Sequence, residues 1–236
     1  MRSVRVGAAT SNGLVRDHNE DAYWISEHVF AVCDGMGGHQ AGEVASQLAV
    51  DVFKDYRFNE EEPLEAVLGA ITKAHRVVQT EAQTPDYSGM GTTVTLAYIA
   101  EEQGEYQLYI GHVGDSRAYV LTNGKLEQVT SDHSLVGELI RNGNLSKDDA
   151  VNHPHRHVVT QALGIGEIEI ETFTRTLNSA DLVLLCTDGL TDVVEDAVIA
   201  DILKDYSPEE AAQKLVALAN EKGGPDNITV IIIKIP

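Results

Sequence analysis

The stretch FAVCDGMGGH, residues 30–39, carries a hydrophobic run into an aspartate, Asp34, that is followed directly by a glycine. A strand buried on its faces brings its end residue to the edge of a sheet, and glycine lets the backbone turn sharply there or approach a ligand closely. Three further segments also place an aspartate at the end of a hydrophobic strand, next to a glycine or a small polar residue: YIGHVGDSRAY at 109–119, LVLLCTDGL at 182–190 and GGPDNITVIII at 223–233. We therefore expect Asp34, Asp115, Asp188 and Asp226 to meet at one edge of a β structure.

Several carboxylates in one place have a chemical consequence. Ionised carboxylates within a few ångströms repel one another unless they are protonated or neutralised by a cation. Oxygen ligands suit Mg²⁺ or Mn²⁺ rather than zinc, and two such ions about 3.5–4 Å apart can deprotonate a bridging water and clamp a phosphoryl oxygen. A single Asp-Gly pair is as readily a simple turn. Four aspartates in the same setting instead predict a divalent-metal site suited to phosphate-ester hydrolysis.

The order of strands and helices defines the fold class. Apolar runs rich in Val and Ile predict strands near residues 2–8, 22–26, 28–33, 92–100, 105–113, 116–122, 125–130, 168–174, 181–187 and 228–235. Apolar residues at helical spacing predict helices over residues 41–57, 64–82, 191–205 and 208–222. Asn123-Gly124 favours a tight turn that would make 116–130 an antiparallel hairpin. This order predicts an α+β sandwich in which helix pairs cover the outer faces of packed sheets.

The chain has 236 residues, which is the length of one domain, and we expect residues 1–236 to form a single catalytic domain. Residues 134–167 are polar and break the strand pattern, so we predict a mobile flap beside the site. Three histidines in this flap, His153, His155 and His157, alternate along the chain, and we expect them to be solvated rather than to form a metal cluster.

Charge and hydropathy exclude two classes of partner. Seventeen Lys and Arg stand against 37 Asp and Glu, a formal charge of −20 that would repel nucleic acid. The first residues lack the apolar stretch of a signal peptide, and no run approaches the roughly 18 apolar residues of a membrane span. We expect a monomeric cytoplasmic protein that binds neither nucleic acid nor membrane.

The sequence resembles, over essentially its whole length, the metal-dependent serine/threonine protein phosphatases of the protein phosphatase 2C (PPM) family in their compact bacterial form. The motifs that carry the resemblance, in chain order, are Arg16, Asn19-Glu20-Asp21-Ala22, Asp34-Gly35-Met36-Gly37-Gly38, Gly91-Thr92-Thr93, Gly114-Asp115-Ser116-Arg117, Asp188-Gly189 and Asp226-Asn227. The resemblance implies a four-layer αββα sandwich with two central antiparallel sheets. It also implies hydrolysis of phosphoserine and phosphothreonine by direct attack of a metal-bridging water or hydroxide.

The resemblance further assigns the metal ligands. Asp34 would bridge two Mn²⁺ or Mg²⁺ ions, the Gly35 carbonyl would bind the second ion, and Asp188 and Asp226 would bind the first. Asp115 would hold a third, weaker ion, although a turn residue without a metal is the alternative. The partners implied are phosphorylated proteins, among them a cognate eukaryotic-like Ser/Thr kinase in bacterial signalling.

The other site residues implied by the resemblance act around these ligands. Glu20 and Asp21 would act through bound waters, and Asn227 would orient Asp226. Arg16 would bind the substrate phosphate, for which a guanidinium fork is suited.

The general acid is the point at which the sequence departs from the animal members of the family. They carry a histidine directly after the Asp-Gly pair, whereas this chain has Met36, and a thioether cannot donate a proton. His39 is the nearest candidate acid; the alternatives are that His39 is a structural hydrogen bonder and that a metal-bound water serves instead. Two further functions remain open at this stage: a phosphoesterase for small molecules, and a catalytically silent relative that only binds phosphoproteins.

Overall fold

The hydrophobic runs form two antiparallel sheets in the computed structural model, which describes residues 4–37, 41–150 and 153–236. With strands numbered in chain order, the first sheet contains, side by side, β1 (Arg5–Ser11), β11 (Ile228–Lys234), β10 (Leu182–Cys186), β7 (Arg117–Thr122) and β8 (Lys125–Gln128). The second contains β2 (Asp21–Ile25), β3 (Val29–Met36), β5 (Val94–Glu102), β6 (Glu105–Val113) and β9 (Glu171–Leu177), and β4 (Gly91–Thr92) pairs with β3. The predicted α+β sandwich is confirmed.

Both faces of each sheet are buried, which explains the continuous apolar runs. In β3, Phe30 and Val32 face the core between the sheets, whereas Ala31 and Cys33 face the helices. Successive strand residues point to opposite faces, so a strand covered on both sides needs apolar residues at every position. Strand β10 follows the same rule on the other sheet. The strand ends, where polar residues begin, are therefore the natural place for a site.

Helices cover the two outer faces. Helices α1 (Ala41–Asp55) and α2 (Pro63–Glu81) pack on the second sheet, and α5 (Asp188–Thr191), α6 (Asp196–Asp205) and α7 (Pro208–Glu221) pack on the first. Two short helices, α3 (Leu135–Arg141) and α4 (Lys147–Ala150), lie within the predicted flap. None of the helices in the described ranges is long and apolar enough to cross a membrane.

Local signals account for several element boundaries. The Ser207 side chain accepts a hydrogen bond from the Glu210 N–H at 3.3 Å, and the Glu210 carboxylate accepts one from the Ser207 N–H, so that a capping box begins α7. Asn123 and Gly124 have φ of 49° and 78°, and they join β7 and β8 in the predicted hairpin.

Several sequence predictions were wrong at their boundaries. The strand predicted over 2–8 is observed as β1 at Arg5–Ser11. The strand predicted over 168–174 is observed as β9 at Glu171–Leu177, because Ile168 and Ile170 pack against the helix side of the core before the pairing with β6 begins at Glu171. The helix predicted over 191–205 is two helices. Residues 192–195 separate α5 from α6, and Glu195, whose backbone is extended, is the N-cap residue of α6.

Candidate metal centre

The four aspartates predicted from strand ends lie around one cleft of about 610 Å³. Asp34 lies near the end of β3, and Asp115 lies in the turn between β6 and β7. Asp188 begins α5 directly after β10, and Asp226 precedes β11. The two sheets thus each deliver carboxylates to the same opening. Other predicted site residues that line this cleft are Arg16, Glu20 and Gly35.

Asp21 lies beside the cleft as the direct cross-strand partner of Asp34. One of its oxygens, Oδ2, accepts a hydrogen bond from the Thr187 hydroxyl at 2.9 Å. The other, Oδ1, is buried without a hydrogen-bond partner among the described residues, and the same is true of Asp188 Oδ1. Buried acceptors are normally satisfied, so these two oxygens point to a missing polar or cationic partner.

The carboxylates of the cleft are difficult to ionise together. Burial raises the pKa of Asp34 well above its usual range, and the charges of Asp21 and Asp188 raise it further. Burial followed by the charge of Asp115 does the same to the pKa of Asp188. Burial is also the main cause that raises the pKa of Asp21 to about 7 and that of Asp115 to about 7. A divalent cation would offset this repulsion.

The donor set matches a hard cation. Apart from His157 at the cleft wall, the candidate ligands are carboxylate and carbonyl oxygens, which Mg²⁺ and Mn²⁺ prefer. Gly35 also lies close against α1, where an added Cβ would stand 2.0 Å from the carbonyl oxygen of Gly42. The backbone next to Asp34 can therefore reach this position only as glycine. The residues fit a centre of divalent ions.

Arg16 extends over the mouth of the cleft. Its Nη2 donates a hydrogen bond to Asp226 Oδ2 at 2.8 Å, and its side chain is about half exposed, at 51%. Burial alone would lower the pKa of Arg16, but the carboxylates of Asp226 and Glu20 raise it. The guanidinium is thus a fixed cation that touches a candidate metal ligand and faces solvent.

The side chain of Asn227 forms hydrogen bonds to the loop that carries Arg16 and Glu20. Its side-chain nitrogen donates to the carbonyls of Asn12 at 3.0 Å and His18 at 2.9 Å, and its Oδ1 accepts the Glu20 N–H at 2.7 Å. Its contact with Asp226 is made by the backbone, whose N–H donates to Asp226 Oδ1 at 2.8 Å. The side chain therefore positions Glu20 directly.

The sequence analysis did not identify Asp192 or Arg156 as residues of the cleft, and it expected His157, which also lines the cleft, to be solvated rather than part of a metal cluster. Asp192 and His157 lie there with His157 Nδ1 3.5 Å from Asp192 Oδ2, and both have ligand atoms within 4.8 Å of one from Asp188. Asp192 follows Asp188 by one helical turn, a spacing that puts both on one side of α5 and that could have revealed it. Arg156 also lines the cleft. The candidate acid His39 lies outside the described residues, whereas Met36 lines the cleft.

The buried carboxylates would be neutralised by divalent cations, and a guanidinium lies at the mouth of the cleft. This arrangement is typical of a divalent-metal-dependent hydrolase of phosphate esters. The protein phosphatase 2C family model matches residues 1–138, and the model of stage II sporulation protein E matches residues 145–236. A serine/threonine phosphatase, stp, of Listeria welshimeri is 40% identical, over 95% of this chain and 93% of that protein. The chain belongs to the protein phosphatase 2C family, and it is a metal-dependent serine/threonine protein phosphatase of the type found in bacteria.

Solved structures agree with this assignment. The crystal structure of the Mycobacterium tuberculosis phosphatase PstP/Ppp superimposes with a TM-score of 0.93 at 36% identity and covers 99% of both chains. The catalytic domain of PstP in complex with two manganese ions gives a TM-score of 0.88 at 34% identity, over 99% of both chains. The M. tuberculosis PstP protein is longer, since this chain spans 44% of it at 38% identity.

Proposed function

We propose that this chain removes phosphate from phosphoserine and phosphothreonine residues of proteins with a centre built by Asp34, Gly35, Asp188 and Asp226. The observation that carries the proposal is the convergence of carboxylates from both sheets on one cleft, where a buried oxygen of Asp188 has no hydrogen-bond partner within the described part of the chain. Two Mn²⁺ or Mg²⁺ ions held there would activate the attacking water and offset the charge of the phosphoryl group. A third, weaker ion at Asp115 is part of the proposal.

Arg16 positions the phosphate. Its half-exposed guanidinium at the mouth of the cleft can form two parallel hydrogen bonds to phosphate oxygens, which is the geometry that suits this side chain best. Its hydrogen bond to Asp226 keeps it there before substrate arrives. When substrate binds, the guanidinium would donate to the phosphate oxygens.

The supporting residues hold water and protons. Glu20, which is half-buried, and Asp21 would hold waters at the edge of the centre, and Asn227 fixes the Glu20 backbone. His39 is the proposed donor of the proton that the leaving alkoxide needs, because Met36 carries no proton to give.

A second cleft of about 440 Å³ adjoins the first and shares Asp115, Asp188 and Asp192 with it. Its wall includes Val136 and Ile140 of α3, at the start of the flap. We propose that the segment of the substrate protein around the phosphorylated residue binds in this second cleft. Residues 134–167 would then serve as a substrate-contacting flap within a single catalytic domain of residues 1–236.

We propose the biological setting from the family of the chain and from its charge. Phosphoproteins are the substrates, and a cognate eukaryotic-like Ser/Thr kinase is the partner to seek first. The formal charge of −20 argues against nucleic acid. We propose a cytoplasmic monomer that acts in bacterial signalling.

Dephosphorylation of a phosphothreonine peptide with Mn²⁺, with EDTA, and with Mn²⁺ restored tests the proposal. Activity should vanish on chelation and return with the metal, and Asp34→Asn should abolish it. The exposed helix variant Asp51→Asn makes the same chemical change away from the cleft and should keep full activity. Turnover confined to small phosphate esters would indicate a small-molecule phosphoesterase, and metal and peptide binding without turnover would indicate a silent relative.

A further inference from the structure

A second group of titratable side chains lies outside the metal cleft, beneath the turn that carries Asp115. His112, the residue before the end of β6, is 0% exposed, His133 is 7% exposed, and Glu171 begins β9 as the cross-strand partner of His112. One ligand atom from each lies within 4.8 Å of the others. The rings of His112 and His133 are 4.9 Å apart between centroids.

The hydrogen bonds of this group already occupy its ring nitrogens. His112 Nε2 faces the Ser131 carbonyl at 3.2 Å, and its Nδ1 faces the Thr95 hydroxyl at 2.9 Å. A carbonyl only accepts, so His112 carries its proton on Nε2 and accepts at Nδ1. Burial lowers the pKa of His112 to about 4, which keeps the ring neutral. Glu171 likewise accepts from the Ser131 N–H at 2.9 Å and from its hydroxyl at 3.0 Å. The group is a hydrogen-bond network rather than a vacant metal site.

His133 forms two hydrogen bonds to the backbone of Gly114. Its Nδ1 accepts the Gly114 N–H at 3.2 Å, and its own backbone N–H donates to the Gly114 carbonyl at 2.7 Å. Because Nδ1 accepts, the ring proton lies on Nε2, which faces Glu171 Oε2 at 3.6 Å. The negative charge of Glu171 beside Nε2 favours this tautomer, in which Nδ1 is free to accept from Gly114.

The backbone of Gly114 adopts a conformation that these two hydrogen bonds stabilise. Its φ of 114° is a conformation that other residues rarely adopt, and an added Cβ would stand 2.6 Å from the Cβ of Thr93. The next residue is Asp115, whose carboxylate lines the cleft. The direction of that carboxylate depends on a glycine that has no side chain of its own to anchor it.

His133 also reaches the returning end of the flap. Its carbonyl accepts the Thr160 N–H at 2.8 Å, and the neighbouring Ser134 pairs with Val159. Val158 and Val159 line the metal cleft. One residue thus joins the Asp115 turn to the base of the flap.

We propose that His133, oriented by Glu171, is a positioning residue that fixes the Gly114–Asp115 turn and thereby the weakest cation site of the cleft. The inference rests on the role proposed for Asp115 above. Residues that orient metal ligands typically change metal affinity or activity by about 10–100-fold when they are replaced. The two tighter sites depend on Asp34, Asp188 and Asp226. Among the described residues, no hydrogen bond or ion pair joins His133 to these three aspartates, so the two sites should be spared.

The test uses three variants of the whole chain and two readouts besides activity. His133→Leu removes both interactions of the ring, whereas in His133→Asn the amide oxygen can replace Nδ1 as acceptor for Gly114. His75→Leu is the matched control, because His75 Nδ1 accepts the N–H of Gly164 at 3.1 Å in the same manner, away from Asp115. Calorimetric Mn²⁺ titration counts the sites and their affinities, and amide hydrogen exchange of Gly114 in metal-free protein reports on the turn itself.

We expect His133→Leu to weaken the weakest Mn²⁺ site at least about tenfold and to speed Gly114 exchange, with the tighter sites changed by less than about threefold. His133→Asn should restore most of both, and His75→Leu should match the parent. If His133→Leu fails to fold, Glu171→Gln, which removes the charge facing Nε2, should shift the same two readouts in the same direction.

Three results would overturn the inference. These are a lower melting temperature with unchanged weak-site affinity, an equal loss at all sites, and a parent protein with only two Mn²⁺ sites. Absence of phosphopeptide turnover by the parent would instead refute the proposed function. The titration and the exchange measurement would still decide the role of His133.

Discussion

Asp115→Asn separates the two roles that this residue could have, because it removes the charge and keeps the shape. Asp115 is 8% exposed, and its pKa is raised to about 7 by burial first and then by the charge of Asp132. In metal-free protein the ionised carboxylate therefore opposes folding. A bound cation would offset this unfavourable charge. The asparagine variant has no such charge, with or without a cation.

The magnitude follows from linkage. A carboxyl group whose pKa is higher in the folded state binds protons more tightly there, so stability falls as pH rises from about 4 to about 7. The difference between the ordinary pKa of 3.8 and about 7 corresponds to about 4 kcal/mol at pH 8 and about 1.5 kcal/mol at pH 5. Burying the amide in its place costs about 1–2 kcal/mol. We expect the variant to be about 2–3 kcal/mol more stable at pH 8 and nearly equal at pH 5.

Thermal unfolding in EDTA at both pH values measures this difference. For a chain of this length about 2–3 kcal/mol corresponds to a rise in Tm of about 5–10 °C at pH 8. With saturating Mn²⁺ the same variant should keep two tight sites and lose kcat by about a hundredfold, the scale of lost acid catalysis. A variant that is less stable than the parent at pH 8 in EDTA would refute the electrostatic argument. Near-normal kcat would leave Asp115 a structural residue.

Three further predictions concern the chemistry and the flap. Asp34→Ala should reduce kcat more than Arg16→Ala at saturating Mn²⁺, since one dismantles the centre and the other weakens phosphate positioning; the reverse order would show the roles to be misassigned. His39→Gln should lower kcat about a hundredfold on a phosphothreonine peptide and much less on an aryl phosphate with a good leaving group, and equal effects would exclude His39 as the acid. Shortening the flap within 142–155 should change peptide selectivity more than aryl phosphate hydrolysis, because this segment supplies none of the predicted ligands; equal losses would make it part of the catalytic scaffold.

Most of the fold could be predicted because its signals are local. Continuous apolar runs such as β3 and β10 indicate strands buried on both faces, and Asn123-Gly124 indicates the hairpin at its observed place. The start of β9 could not be predicted in this way. Ile168 and Ile170 alternate like strand residues, but the pairing with β6 decides where the strand begins, and that pairing joins distant parts of the chain.

The residues of the candidate site also differ in whether a local sequence signal predicts them. The aspartates at strand ends each have their own local signal, and all of them line the cleft. Arg156 and His157 reach it from the flap, for which the sequence offers no periodic pattern. The hydrogen bond between Arg16 and Asp226 joins residues 210 positions apart, so only the closed fold could reveal it.

The cleft lies at the seam between the two sheets, and hydroxyl groups connect the sheets there. The Thr93 hydroxyl, on the second sheet, accepts the Asp34 N–H at 2.9 Å and lies 2.8 Å from the Ser116 hydroxyl, beside β7 of the first sheet. The Thr187 hydroxyl, at the end of β10, donates to Asp21 on the second sheet. Hydrophobic packing between sheets sets their spacing but not their register to a fraction of an ångström, whereas a hydrogen bond has a narrow range of length. Ligands from different sheets can form one centre because these hydroxyl groups fix the two rims relative to each other.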